Sequence, residues 1–228
     1  MRRSSRIAAP LLLAASVLFA ALAAAAEPTP RSRHDATDRH SFDDVEHWVK
    51  VFDDPERDAW QKPAAVVQAL ALATGMSVAD LGAGTGYFSP YLSAAVGDGG
   101  TVYALEVEPK LVEHLKDRAE KGRLRNVVPL LALAADAGLP AGGVDLILIV
   151  DTLHHIDDRP AYLRRLRQSL KPNGRVAVID FEMEKTPVGP PLDHRLAREQ
   201  VIEEFNLAGY KLIDEPRILP YQYFLVFR

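Results

Sequence analysis

Val78-Ala79-Asp80-Leu81-Gly82-Ala83-Gly84-Thr85-Gly86-Tyr87 is the stretch on which the fold of this chain turns. The apolar approach from Met76 to Leu81 predicts a buried strand, and Tyr87 to Val96 predicts an amphipathic helix. Three glycines at alternate positions join the two. Without Cβ atoms, Gly82, Gly84 and Gly86 can take backbone angles closed to other residues and let a ligand touch the main chain. The unpaired N–H groups at the helix start face the same point. A strand that breaks into glycines and opens a helix therefore predicts a ligand-binding turn in an α/β fold.

The spacing narrows the ligand. A dinucleotide fold uses G-x-G-x-x-G. Here the third glycine comes one place early, and Tyr87 stands where the last should be, which speaks against a NAD-dependent oxidoreductase. Asp80 precedes the loop, and a carboxylate there repels a pyrophosphate but suits a cation such as an ammonium or a sulfonium. About twenty residues after Gly86, the strand Thr101 to Leu105 ends in Glu106, placed to accept hydrogen bonds from a ribose diol.

These residues resemble motif I and the following acidic strand end of the class I S-adenosylmethionine (SAM)-dependent methyltransferases, and the resemblance runs from roughly Trp60 to the C-terminus. It implies a Rossmann-like α/β fold: a seven-stranded, mostly parallel sheet with an antiparallel terminal strand and helices on both faces. It implies SAM as cofactor, with Asp80, Gly82, Gly84 and Gly86 around the methionine part, Glu106 on the ribose and Asp136 at the adenine. It also places Asp151-Thr152-Leu153-His154-His155-Ile156 at the sheet edge beside the transferable methyl. A hydroxyl acceptor would need deprotonation there, and His154, His155 or Asp151 could supply it. Lys171-Pro172-Asn173-Gly174 resembles the family's L-K-P-G-G turn, with Asn173 in place of the first glycine.

Two alternatives stay open. Asp151 and Asp180 end adjacent strands, which resembles the magnesium site of catechol-type O-methyltransferases. That family follows the second acid with Asn, and Phe181 takes its place here, so no metal is expected. A non-catalytic SAM-fold binding module is the second alternative, although such a domain usually loses its glycines or its ribose acid.

Along the rest of the chain, Ser41 is expected to cap a short helix through Phe52, and Asp54-Pro55 to start another. Trp60-Gln61-Lys62-Pro63 leads into a helix over Ala64 to Ala73. In the family such a helix lies over the cofactor, so Trp60 and Lys62 are candidates to face the site. Helices are predicted over Pro109 to Gly122, Arg159 to Leu170 and His194 to Ala208. Strands are predicted over Asn126 to Leu131, Val144 to Val150 and Arg175 to Asp180, with a closing pair over Lys211 to Leu219 and Tyr221 to Arg228. Val144 to Val150 is almost continuously apolar, as expected of a central parallel strand covered on both faces. Thr186 to Pro191 reads as a proline-rich loop.

The 228 residues suffice for one domain of ordinary size plus a tail. Acids outnumber bases 31 to 27, and no basic tract stands out beyond the first few residues, so the footprint of a nucleic-acid binder is missing. With no cysteine, disulfides and thiolate zinc sites are excluded. Arg2, Arg3 and Arg6 precede an apolar run from Ile7 to Ala26 that ends in Ala24-Ala25-Ala26. This predicts a secretory signal peptide over 1–26 and an exported protein, the alternative being an uncleaved membrane anchor. Residues 27–59 then read as a polar linker with short N-terminal helices, and 60–228 as the domain. A small-molecule acceptor is expected from the aromatic and apolar character of Trp60 to Ala73, Thr186 to Pro191 and Tyr221 to Phe224. Oligomeric state is not legible.

Overall fold

The computed structural model describes residues 44–228. The expected signal peptide, the Ser41 cap and most of the linker lie outside the described residues. At the centre is a seven-stranded sheet: β1 Ser77–Leu81, β2 Thr101–Glu106, β3 Val127–Leu131, β4 Val144–Val150, β5 Leu170–Phe181, β6 Leu212–Asp214 and β7 Gln222–Phe227. Their order is β3-β2-β1-β4-β5-β7-β6. Strands β1 to β5 run parallel, and β7 is antiparallel to both β5 and β6. The chain leaves β1 outward to β2 and β3, then returns to lay β4 on its other side. Strand order therefore reverses between β1 and β4, and the crevice beyond their carboxyl ends is where such sheets bind ligands.

The period of the apolar residues decides which helices cover which face. Leu146 and Leu148 join Val78, Leu92, Val102 and Leu115 on one side of the sheet, whereas Ile147 and Ile149 join Ala79, Leu163, Val178 and Phe205 on the other. The first face is covered by α3 Pro63–Ala69, α4 Ser89–Val96 and α5 Pro109–Lys121, and the second by α6 Arg159–Leu166 and α7 Arg198–Leu207. In α3, α4, α5 and α6 a proline occupies the first turn, where its missing N–H would have had no helical partner. Pro129 lies in β3, which ends the sheet, so its missing donor breaks no ladder.

Two helices precede α3. Helix α1 Val45–Phe52 is capped by Asp44, whose side chain accepts from His47 N, and α2 is Arg57–Gln61. The sequence anticipates these short helices but not that they are tied to the glycine loop. Asp53, at the end of α1, accepts from Thr85 Oγ1 at 2.9 Å and from Arg118 Nη1, which also donates to Thr85 O at 3.1 Å. Asp58 accepts from the Tyr87 hydroxyl. Asp53→Ala should therefore free α1 while sparing the sheet. For such a partly buried pair the loss is about 1–2 kcal/mol. Hydrogen exchange should show lost protection in α1 and unchanged protection in β1 and β4; unchanged α1 would refute the tether.

Elsewhere the boundaries move for identifiable reasons. Lys171 to Gly174 is no separate turn but a bulge inside β5: the pairing jumps from Val144↔Leu170 to Leu146↔Arg175, and Asn173 takes φ +67°. The helix expected from His194 begins only at Arg198. Arg195 is held instead by the preceding loop, donating to the carbonyls of Glu182, Glu184 and Pro190 and to Thr186 Oγ1. Leu192–His194 forms a single 3-10 turn before it.

Candidate active site

The carboxyl ends of β1, β2, β4 and β5 converge below α1 and α2. The glycine loop is fixed by β2 on one side, because Gly82 N and Ala83 N both donate to Leu105 O at 2.9 Å. The next residue of β2, Glu106, clamps it further. Its Oε2 accepts from Gly84 N at 2.9 Å, and Oε1 accepts from Val107 N at 2.7 Å and Glu108 N at 3.2 Å. Three donors on two carboxylate oxygens leave acceptor capacity at Oε2 for a hydroxyl. Burial pushes the Glu106 carboxyl up despite these backbone bonds.

Gly82 and Gly86 meet two demands at once. Gly82 sits at φ +75°, and a Cβ there would fall inside the Thr152 side chain, whose Oγ1 is held by Val150 O at 2.8 Å. Gly86, at φ +86°, would put a Cβ 2.8 Å from Leu115 Cδ2. Gly84 instead lies under the lid, its Cβ position 3.5 Å from Phe52 Cδ2. The loop is bare because α5, Thr152 and α1 all approach it.

Asp80 is only 3 % exposed at the end of β1. Burial pushes its carboxyl up to about 7, with Arg57 drawing it back and Glu106 adding to the rise. The consequence has a definite sign. Below about pH 4 the group is neutral in both folded and unfolded chains; between about 4 and 7 the folded chain holds the proton that the unfolded chain releases. Stability should fall through that window, by up to about 4 kcal/mol. Urea denaturation should show Asp80→Asn gaining on the wild type from about pH 5 to pH 8. A pH-independent difference would refute this.

At the end of β4, Asp151 adopts φ +49° and turns into the 3-10 segment Leu153–His155. Its Oδ1 accepts from Gln222 Nε2 at 2.8 Å, and its Oδ2 lies 3.8 Å from Arg57 Nη2. Burial, reinforced by the charge of Asp180, holds Asp151 above the usual carboxylate range. His154 Nδ1 lies 3.0 Å from Asp180 Oδ2, and His155 is exposed with its ring centroid 4.1 Å from that of His154. Burial works against charging His154, but the Asp180 hydrogen bond and the charges of Asp180 and Asp151 outweigh it and hold the imidazole above its ordinary range. The carboxylate pair considered for magnesium is thus otherwise engaged. Asp180 binds His154 and its Oδ1 accepts from Phe181 N, while Asp151 faces Gln222 and Arg57.

Of the expected site residues, Asp80, Gly82, Gly84, Gly86 and Glu106 come together around the loop, with Asp151 and His154 across the crevice. Asp136 stands apart, exposed beyond β3, where its side chain accepts from Gly138 N at 2.9 Å. Ala132 N donates to Glu106 O and so ties that segment to the end of β2. Lys62 does not face the site: its Nζ donates to Ile218 O. Trp60 packs 5.6 Å from the Phe181 ring, at the end of β5.

The sequence gives no hint of Arg57. Its guanidinium lies 4.2 Å over the Tyr87 ring, donates to Phe52 O and forks onto Gln61 Oε1. Gln61, fully buried, passes its Nε2 to Gln222 Oε1 at 2.8 Å, closing a ring of Arg57, Gln61, Gln222 and Asp151. Gln222 did carry a signal, as the lone amide in an aromatic and aliphatic strand.

A family model described as a methyltransferase domain matches residues 79–178. The crystal structure of a SAM-dependent methyltransferase from Aquifex aeolicus is 30% identical, with a TM-score of 0.77, covering 81% of this chain and 97% of that one. The chain belongs to the SAM-dependent methyltransferases. Its cofactor is S-adenosylmethionine, and the donor set around the loop fits it: two buried acids, Asp80 and Glu106, with bare main chain between. Among curated relatives, this chain is 31% identical over 131 residues to the 27-O-demethylrifamycin SV methyltransferase of Amycolatopsis mediterranei, covering 57% of this chain and 47% of that one. It is 31% identical over 120 residues to the ubiquinone/menaquinone biosynthesis C-methyltransferase of Shewanella frigidimarina, covering 52% and 48%. The chain spans about half the length of these relatives.

Proposed function

We propose that the protein transfers a methyl group from SAM to a small-molecule acceptor by in-line displacement, after export from the cytoplasm. The observation that carries the proposal is the clamping of a bare glycine loop by Leu105 and Glu106, beside the buried Asp80, at the point where strand order reverses. In this assignment Asp80 and the main chain of Gly82, Gly84 and Gly86 take the methionine part, Glu106 the ribose and Asp136 the adenine. When bound, the cofactor supplies a methyl carbon on a sulfonium, a leaving group that needs no acid. The chain's task is then to hold the acceptor in line and keep water out. Phe52 over Gly84 and Trp60 against Phe181 supply apolar cover. That aromatic lining, with the net charge of −4, favours a small molecule over a nucleic acid.

Calorimetry of SAM and S-adenosylhomocysteine binding to the purified protein tests the assignment. Because SAM is cationic beside Asp80, affinity should rise as pH passes about 7, and that rise should vanish in Asp80→Asn. A folded wild-type protein that binds neither ligand would sink the proposal. Export rests on Arg2, Arg3, Arg6 and the run from Ile7 to Ala26. Expression of the full chain in a bacterium, followed by N-terminal sequencing of the exported protein, should read Glu27 first. Intact chain in the membrane fraction would favour the uncleaved anchor instead.

A further inference from the structure

We propose that Gln61 and Gln222 are positioning residues that hold Asp151 as a negative charge beside the cofactor's sulfur, and that this charge makes the protein prefer the sulfonium of SAM to the neutral sulfur of S-adenosylhomocysteine. The inference rests on the cofactor assignment proposed above and adds to it a means of telling substrate from product.

Gln61 on α2 and Gln222 on β7 are both buried, and they meet through their amides. Arg57 Nε and Nη2 donate to Gln61 Oε1 at 3.3 and 3.1 Å, Gln61 Nε2 donates to Gln222 Oε1 at 2.8 Å, and Gln222 Nε2 donates to Asp151 Oδ1 at 2.8 Å. A guanidinium only donates and an ionised carboxylate only accepts, so the row runs in one direction. Turning either amide over would set donor against donor and acceptor against acceptor. Two buried amides are a costly way to pack α2 on β7, where an apolar pair would serve. What they add is a donor aimed at Asp151 from inside the protein. The other oxygen, Oδ2, faces Arg57 Nη2 at 3.8 Å, beyond hydrogen-bond reach, and the side chain keeps 22% of its surface exposed.

The register of the sheet places that oxygen. Leu81 pairs with Leu105 on one side and Ile149 on the other, so Glu106 and Asp151 stand just beyond it on opposite sides of β1. With the ribose at Glu106 and the amino-acid end at Asp80, the sulfur that joins them lies over β1, on the side of the crevice that Asp151 closes. A cation already belongs there, since the charge of Arg57 reaches both Asp80 and Asp151. Burial and then the charge of Asp180 push the Asp151 carboxyl up, while Arg57, His154 and the Gln222 hydrogen bond favour its ionised form. Tyr223 on β7 completes the titratable groups coupled to it. When the methyl group leaves, the sulfur–carbon bond breaks with its electron pair going to sulfur, and the positive charge there is gone. SAM and its product differ at that atom, and an anion beside it separates them.

Calorimetry of SAM and S-adenosylhomocysteine at about pH 8 tests the inference through the ratio of the two affinities. Both ligands carry the amino-acid end assigned to Asp80, so that contact divides out. An opposite charge within about 4–6 Å favours the ionised form of a carboxyl by about tenfold or more, and by reciprocity the ionised form binds that charge tighter by the same factor. Asp151→Asn should therefore shift the ratio against SAM by about tenfold. Gln222→Met, which keeps the length and loses the donor, should shift it the same way by several-fold. Gln61→Met should follow, because the Gln222 amide is then free to turn its oxygen toward Asp151, and the double variant should add little further. Loosened packing would weaken both ligands alike and leave the ratio where it was. Carbon NMR of the Asp151 carboxyl should show it ionised in the wild type and partly protonated in Gln222→Met. A ratio unmoved by Asp151→Asn, or unmoved by Gln222→Met in a folded variant, overturns the inference, as does an Asp151 carboxyl that is protonated in the wild type. Failure of wild type to bind either ligand brings down the transferase proposal itself, a separate result.

Discussion

Glu106→Ala should weaken SAM binding by about two to three orders of magnitude. The carboxylate is expected to accept from the ribose, and each hydrogen bond to a charged acceptor is worth about 1.5–3 kcal/mol. Losing two at the lower end of that range removes roughly 3–4 kcal/mol, at 1.4 kcal/mol for each tenfold. The same substitution strips the acceptor from Gly84, Val107 and Glu108, so the loop loses its clamp as well. Glu106→Gln separates the two effects, since its remaining carbonyl can still hold the Gly84 N–H. The expected order of affinity is wild type, then Gln, then Ala. Equal affinities across the three, in proteins of similar melting temperature, would remove Glu106 from the cofactor site.

Gly82→Ala should be the most damaging single methyl added to the loop. A left-handed backbone angle is worth about 1–2 kcal/mol to any residue with a Cβ. The new carbon would also fall inside the Thr152 side chain, which is anchored to Val150 O and cannot simply rotate away. Forcing an extra methyl into such a site adds about 1–3 kcal/mol. Together these give a loss of roughly 2–5 kcal/mol, or a fall in Tm of roughly 5–15 °C for a domain of this size. Thr152→Ala in the same chain should restore part of it. Gly138 makes the contrast, because it too has a positive φ but its Cβ position has nothing within 4 Å, so Gly138→Ala should show the backbone effect alone. Equal losses at Gly82 and Gly138 would show that Thr152 does not crowd the loop.

Legibility in the sequence follows the range of the interactions concerned. The glycine loop was readable because backbone freedom, strand periodicity and helix start are all local, and Glu106 because a parallel strand and its crossover have a characteristic length. The His154–His155 pair was readable as a position at the end of β4. Which of the two docks on Asp180 was not, since that depends on how the 3-10 turn after β4 aims each ring at the neighbouring strand. Lys62 looked like a site residue because it precedes α3, yet it takes a left-handed backbone angle that sends its amine to Ile218 O.

By itself the sequence determined the mostly parallel sheet and the glycine loop and, through a family resemblance, the cofactor. Each rests on residue types whose conformational or charge preferences act over a few positions. Tertiary structure alone decided the lid and the polar ring beneath it: Gln61 meets Gln222 across 161 residues, and Gln222 meets Asp151 across 71. No local preference of an arginine or a glutamine records such a partner. Burial away from water is what makes those polar groups find one another, and burial is a property of the folded chain.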